Sequence, residues 1–256
     1  MTESSRRDFL IQTAGALTMM ALVPSIPALA RQGGDPLGVA LVGAGRQGRA
    51  ILGELAKLEG FRVVGVCDSD ESRLASGLRR VQGAQGFADH RAMLDALPEA
   101  SAIIIATPTH LHRQIAVDAM SAGRHVYCEA PLSNTVEDCR AMVAAAQAAP
   151  KLVFASGLEA RSNPIYKLAR SFFRSDAVRD AVAIEAQYFK KTSWRFPASN
   201  PAREDEVNWR LDPRVSLGLP GEEGVHQFDV ALWYTDRLPV AVNGGGSIRL
   251  WDDGRT

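Results

Sequence analysis

Leu37-Gly38-Val39-Ala40-Leu41-Val42 runs directly into Gly43-Ala44-Gly45-Arg46-Gln47-Gly48, and this stretch decides how the chain folds. Six apolar or small residues with no charge read as a strand buried on both faces, as in a parallel sheet. The residues after it, Ala50–Leu58, carry helical spacing. A G-x-G-x-x-G element between a strand and a helix has one physical use that accounts for all three glycines. Gly43 permits the tight turn, Gly45 lets the backbone approach a pyrophosphate, and Gly48 allows close helix–strand packing. The helix that starts there offers free N–H groups and the positive end of its dipole to phosphates. Phe61–Cys67 is the next apolar run, and Asp68 ends it about 25 residues beyond Gly43, near the ~20 expected of an acid that binds a ribose 2′-hydroxyl. Such an acid repels a 2′-phosphate, which favours NAD over NADP, although Arg46 and Arg73 lie close enough in sequence to leave NADP open.

Working outward, the alternation continues. A polar helix extends to about Arg80, Arg91–Leu97 reads as a short helix, and Ala102–Ala106 holds three successive isoleucines, as a central parallel strand would. Thr107-Pro108-Thr109 breaks that strand, and Leu111–Ala122 resumes as helix until Gly123. His125–Cys128 is a strand stopped by Pro131. Thr135-Val136-Glu137-Asp138 resembles a capping box at the head of an alanine-rich helix to about Ala148, and Lys151–Ser156 reads as a further strand. Strands and helices at this spacing predict a doubly wound parallel sheet of the Rossmann kind over 31–157.

The flanks read differently. Arg6-Arg7 followed by Phe9-Leu10, an uncharged stretch from Ile11 to Ala30, and the small residues Ala28-Leu29-Ala30 make residues 1–30 a twin-arginine (Tat) signal peptide. The expected location is therefore periplasmic, with Tat machinery as a partner and no membrane attachment after cleavage. Beyond Ser156, Asn163–Arg174 predicts a helix, Ala181–Phe189 a strand, Thr192–Val215 a long loop, Glu222–Trp233 a helix and Ala241–Trp251 a strand. These make 158–256 a second, α+β domain. Asp253-Gly254 after that last strand is a hairpin signal with no return strand behind it, so a truncated domain is expected.

Composition narrows the function classes. The 256 residues carry 29 Lys and Arg against 29 Asp and Glu, and a neutral chain lacks the basic field that nucleic acid or an anionic membrane requires. Three cysteines with no C-x-x-C pair exclude a disulfide scaffold and argue against a thiolate metal site. Cys67, Cys128 and Cys139 suit buried, inert positions.

Taken in order, Gly43-Ala44-Gly45-Arg46-Gln47-Gly48, Cys67-Asp68, Ala106-Thr107-Pro108-Thr109-His110-Leu111-His112, Glu129-Ala130-Pro131 and Gly224-Val225-His226-Gln227-Phe228-Asp229 resemble the Gfo/Idh/MocA oxidoreductases. The resemblance implies an N-terminal Rossmann domain, a C-terminal open-faced sheet that packs against another subunit as a homo-oligomer, and NAD(P)-dependent action on a small-molecule sugar or polyol. It places Thr107, Pro108 and His112 on the nicotinamide side and Glu129 near the nicotinamide ribose. The family's tripeptide is Glu-Lys-Pro, whereas this chain has Ala130, which cannot donate a proton. Lys190 and Lys191 offer a substitute ammonium, with solvated strand-end lysines as the plainer reading.

Glu222, His226 and Asp229 stand at i, i+4 and i+7, on one face of a continuous helix with Trp233. A histidine beside carboxylates suits removal of a hydroxyl proton as hydride leaves the same carbon. His226 is thus the candidate base, with Glu222 and Asp229 as its helpers and no metal expected. Arg161, Trp194, Arg195 and Trp209 are candidate sugar contacts. Two other functions fit the same motifs: redox-neutral glycoside cleavage resembling glycoside hydrolase family 109, and non-catalytic binding of NAD or sugar, which Ala130 makes reasonable.

Overall fold

The computed structural model describes residues 35–175, 177, 181–189, 193–198 and 200–247. The signal-like stretch 1–30, Lys190 and Lys191 lie outside the described residues, as do positions 248–256.

Six strands form one parallel sheet: β1 (Leu37–Val42), β2 (Phe61–Cys67), β3 (Gln85–Phe87), β4 (Ala102–Ile105), β5 (His125–Cys128) and β6 (Phe154–Ser156). Their spatial order is β3-β2-β1-β4-β5-β6, the doubly wound order in which the winding reverses between β1 and β4. Helices α1 (Arg46–Leu55), α2 (Glu71–Leu78), α3 (His90–Ala96), α4 (His112–Ser121) and α5 (Val136–Ala148) connect the strands. Side chains alternate across the pleat and so feed two cores. Ala40, Val42, Ile103 and Ile105 pack on one face with Met93, Ile115 and Met142. Val39, Leu41 and Ile104 pack on the other with Leu52 and Val66. A fully buried Leu or Ile contributes roughly 1.5–3 kcal/mol, so these two layers fix the register of β1 against both neighbours. The helix caps agree with the chemistry of the residues: Asp70, Asp89 and Thr135 each accept a backbone N–H at the head of α2, α3 and α5.

β3 has no counterpart in the expected strands, because Gln85-Gly86-Phe87 is too short and mixed to show a period. It exists by pairing with β2. Conversely, α1 begins at Arg46 rather than Ala50.

After Ser156 come α6 (Pro164–Arg174), α7 (Glu204–Val207), α8 (Gly218–Glu222) and α9 (Val225–Thr235). Three expectations are corrected here. Ala181–Phe189 is not a strand, and residues 241–247 of the expected Ala241–Trp251 strand are not one either. Both are β-rich in sequence, but a strand needs a neighbour to take its N–H and C=O groups. Val182 is 98% and Val242 80% exposed, and neither segment pairs with another among the described residues. The open-faced sheet is therefore absent from the described residues. The Thr192–Val215 loop contains α7 flanked by two single 3₁₀ turns, Pro201–Arg203 and Trp209–Leu211. Finally, the Glu222–Trp233 helix is two helices. The N–H groups of Glu223 and Gly224 both donate to the Leu219 carbonyl, at 3.1 and 3.2 Å, and the ladder restarts from Gly224. Gly224 passes so close to Pro220 that a Cβ would lie 2.3 Å from its carbonyl oxygen.

Candidate functional site

The crevice at the reversal point is bordered by the loop after β1 and the loop after β4. Gly43 has φ +97°, and a side chain there would collide with the Ala106–Thr107 backbone, so the two loops touch through a glycine. A Cβ on Gly48 would lie 1.9 Å from the Gly43 carbonyl oxygen, which lets α1 start directly against the turn. Gly45, by contrast, caps α1 and faces open space, with nothing within 4 Å of where a Cβ would be. That opening leads onto the unpaired N–H groups of the first helical turn, the geometry a pyrophosphate requires. Arg46 and Gln47 are exposed on that turn.

Asp68 is 9% exposed at the carboxyl end of β2. Its Oδ2 accepts the Ala44 N–H at 2.8 Å and its Oδ1 the Asp70 N–H at 2.9 Å. Each oxygen retains a second acceptor site, so the carboxylate both holds the glycine loop and can receive a ribose hydroxyl. On the other flank, Gln47 Nε2 donates to Glu129 Oε1 at 3.1 Å, linking the glycine loop to the segment after β5. Ala130, next to it, is half-buried, and its peptide bond to Pro131 is cis.

The loop after β4 is pinned from beneath. His112 is 1% exposed, and its two ring nitrogens lie 3.0 Å from the carbonyl oxygens of Thr107 and Pro131. Burial, outweighing those carbonyls, holds its pKa below the usual histidine value. His112 therefore fastens the two loops that border the crevice. Pro108 caps the 3₁₀ turn Thr109–Leu111 that leads into α4. His110 meets Trp209 edge-on, with ring centroids 6.0 Å apart, and burial lowers its pKa despite the opposing pull of Asp212.

Glu222, His226 and Asp229 do not act as one row. Glu222 Oε2 accepts the Thr109 hydroxyl at 3.0 Å, and its Oε1 accepts the Leu217 N–H at 3.3 Å. Asp229 is held by Arg161 Nε at 3.0 and 2.9 Å and by its Nη2 at 2.6 Å, which raises the Arg161 pKa. His226 bonds to neither. The break at Glu223–Gly224 puts Glu222 at the end of one helix and His226 and Asp229 on the next. Thr109, to which no motif assigned a role, is the residue that links Glu222 to the loop after β4.

Four buried side-chain atoms have no hydrogen-bond partner among the described residues, and three of them are Thr107 Oγ1, His110 Nδ1 and His226 Nδ1. The first two flank Thr109; the third lies four residues beyond Glu222, on the next helix. The Thr109–Glu222 bond ties the loop that bears the first two to the end of the helix that precedes His226. Unpaired buried polar groups are costly, and each of these atoms calls for a partner that a polar ligand can supply.

Comparison with known proteins agrees with this geometry. Residues 37–156 match a family described as oxidoreductase family, NAD-binding Rossmann fold. The match takes in the glycine loop and all six strands of the parallel sheet. Levoglucosan dehydrogenase of Pseudarthrobacter phenanthrenivorans is 27% identical over 205 residues, covering 76% of this chain and 50% of that enzyme. A glycosyl hydrolase family 109 protein of Shewanella sp. strain ANA-3 is 27% identical over 136 residues, 50% of this chain and 28% of its own. The structure of scyllo-inositol dehydrogenase from Lactobacillus casei, with bound NAD(H) and scyllo-inositol, matches with TM-score 0.63 at 20% identity over 78% of this chain and 56% of that one. The chain spans about half the length of the curated relatives it matches.

Within the Gfo/Idh/MocA match fall every glycine-loop residue, Asp68, Thr107, Pro108, His112 and Glu129; Glu222, His226 and Asp229 lie beyond it. The buried thiols Cys67 and Cys128 are poor nucleophiles. Burial pushes Cys67 up to about 12 and Cys128 higher still. Among the described residues no His, Cys, Asp or Glu group gathers to hold a metal, and no helix is long and apolar enough to cross a membrane.

Proposed function

We propose that this chain serves an NAD-dependent oxidoreductase acting on a sugar or polyol hydroxyl, with His226 as the proton acceptor. The observation that carries the reading is the set of orphaned polar atoms, Thr107 Oγ1, His110 Nδ1 and His226 Nδ1, together with a glycine loop that touches Thr107 at Gly43 and is open at Gly45. A polyol offers a donor and an acceptor at every hydroxyl and so can answer all three. The relatives that bear names of sugar and inositol dehydrogenases support the substrate class.

The residues fit the cofactor. The N–H groups after Gly45 would hold the pyrophosphate, Asp68 the adenosine ribose, and Glu129 with Gln47 the nicotinamide ribose. When bound, NAD supplies the hydride acceptor. His226 takes the hydroxyl proton as the C–H bond yields its hydride, so the alcohol becomes a carbonyl and one proton stays on the imidazole. Thr107 and His110 orient the substrate, and His112 and Glu222 hold the loops that present them. General-base help of this kind is worth about 10²–10⁴-fold. His226→Ala should lose turnover on that scale across a sugar panel while NAD affinity, measured by calorimetry, survives. Loss of both together would make His226 structural.

A second reading, redox-neutral cleavage of a glycoside, draws on the family 109 relatives. Product formation with no net NADH release would select it. Export through the twin-arginine route belongs to the same proposal, since outside the cytoplasm a retained cofactor has no soluble pool to exchange with. Retained export after changing Arg6 and Arg7 to lysine would count against that route.

A further inference from the structure

The segment after the Gfo/Idh/MocA match reaches back over the crevice at two points. Arg203 is ion-paired with Asp70, the residue that caps α2 and whose N–H donates to the ribose-facing Asp68 carboxylate. Six residues later, Trp209 packs against His110 in the loop after β4. The run between them is almost wholly helical, so at ~1.5 Å per residue its anchors lie roughly 9 Å apart along the chain. One anchor stands at the end of β2, the adenosine side of a doubly wound crevice, and the other at the end of β4, its nicotinamide side.

This run is rigid in itself. Asn208 is buried; its side chain exchanges two bonds with the Phe196 backbone, at 2.8 and 3.0 Å, and donates a third to the Glu204 carbonyl at 3.2 Å. Arg203 is held as a fork by Glu206, at 2.6 and 3.0 Å, while it reaches Asp70. Burial pushes the Asp70 carboxyl up, but the Arg73 N–H and the Arg203 guanidinium outweigh it, so it stays ionised below the usual carboxylate range.

We propose that residues 203–209 form a strap across the mouth of the dinucleotide crevice, latched at its adenosine end by Arg203 on Asp70, so that NAD is held through successive turnovers. The proposal rests on NAD being the cofactor of this site. Release of the dinucleotide then requires the Arg203–Asp70 pair to part, whereas chemistry at His226 does not.

The test is the NAD dissociation rate of the full chain, followed by displacement in stopped flow, for the wild type, Arg203→Ala, Asp70→Asn and the double variant. Asn retains the helix-capping acceptor, so the second variant removes the charge pair and spares α2. Each single change should speed dissociation by about tenfold or more, the double change should add little, and the wild-type rate alone should rise with salt. Melting temperatures close to wild type would confirm that the fold is intact in the variants. An unchanged rate in both single variants, or full additivity in the double one, overturns the strap while leaving the cofactor reading in place. A wild type that binds no NAD overturns both.

Discussion

Gly45 and Gly48 are three residues apart and answer opposite demands. One is a glycine because something has to come close from outside; the other because the chain already comes close from inside. Gly48→Ala should therefore destabilise the fold by roughly 1–3 kcal/mol or more, an overpacking cost against backbone that cannot give way. Gly45→Ala should leave the urea midpoint nearly unchanged and weaken NAD binding. A calorimetric titration beside a chemical melt separates the two, and matching losses in both variants would contradict the assignment. Asp68 makes a parallel case. Its carboxylate is already committed to the Ala44 N–H, so Asp68→Ala removes a ribose acceptor and loosens the loop at once. NAD affinity should fall by about 1.5–3 kcal/mol, the scale of hydrogen bonds to a charged group, and NADP affinity by less. Equal losses for the two dinucleotides would show that Asp68 only holds the loop.

At the scale of elements, the contact that ties the candidate carboxylate to the crevice is the hydroxyl–carboxylate bond between the loop after β4 and the end of α8. Burial of Glu222 raises its pKa, against the Leu217 N–H, the Thr109 hydroxyl and the Arg210 charge. A carboxyl that holds its proton more tightly folded than unfolded contributes stability fully below the unfolded value of ~4.3 and loses it as pH rises through the folded value. Glu222→Gln keeps the shape and removes the titration. Its stability relative to wild type should rise with pH from about 4.3 upward, read from urea melts at several pH values. A difference that stays flat, or that shrinks with pH, would mean that Glu222 is not desolvated in solution. The broken helix at Glu223–Gly224 explains why spacing misled. Counting i, i+4 and i+7 assumes one unbroken ladder, and the doubly used Leu219 carbonyl ends that ladder. His226 and Asp229 remain on one helix, yet Asp229 is taken by Arg161.

For the molecule as a whole, a ligand that binds only the folded state stabilises it by mass action. NAD at about 100 times its Kd should add ~2.7 kcal/mol to unfolding, seen as a rise in melting temperature that NADP at equal concentration does not match. Equal shifts would argue that the ribose end does not discriminate. The sequence by itself determined the doubly wound sheet and its dinucleotide crevice, because those features are local: uncharged runs for buried strands, glycines where backbone meets backbone, caps at helix heads. It also singled out His226 as a candidate, since a short motif around it stands out, and its role as proton acceptor belongs to the proposal. The tertiary structure alone decided that β3 exists, that Ala181–Phe189 is not a strand, that His112 is a buried fastener, and that Thr109 and Glu222, 113 residues apart, share a hydrogen bond. Arg203 on Asp70 belongs to the same class, at a separation of 133 residues. A strand needs a partner and a side chain needs a neighbour, and both are supplied by distant parts of the chain, about which no local pattern carries information.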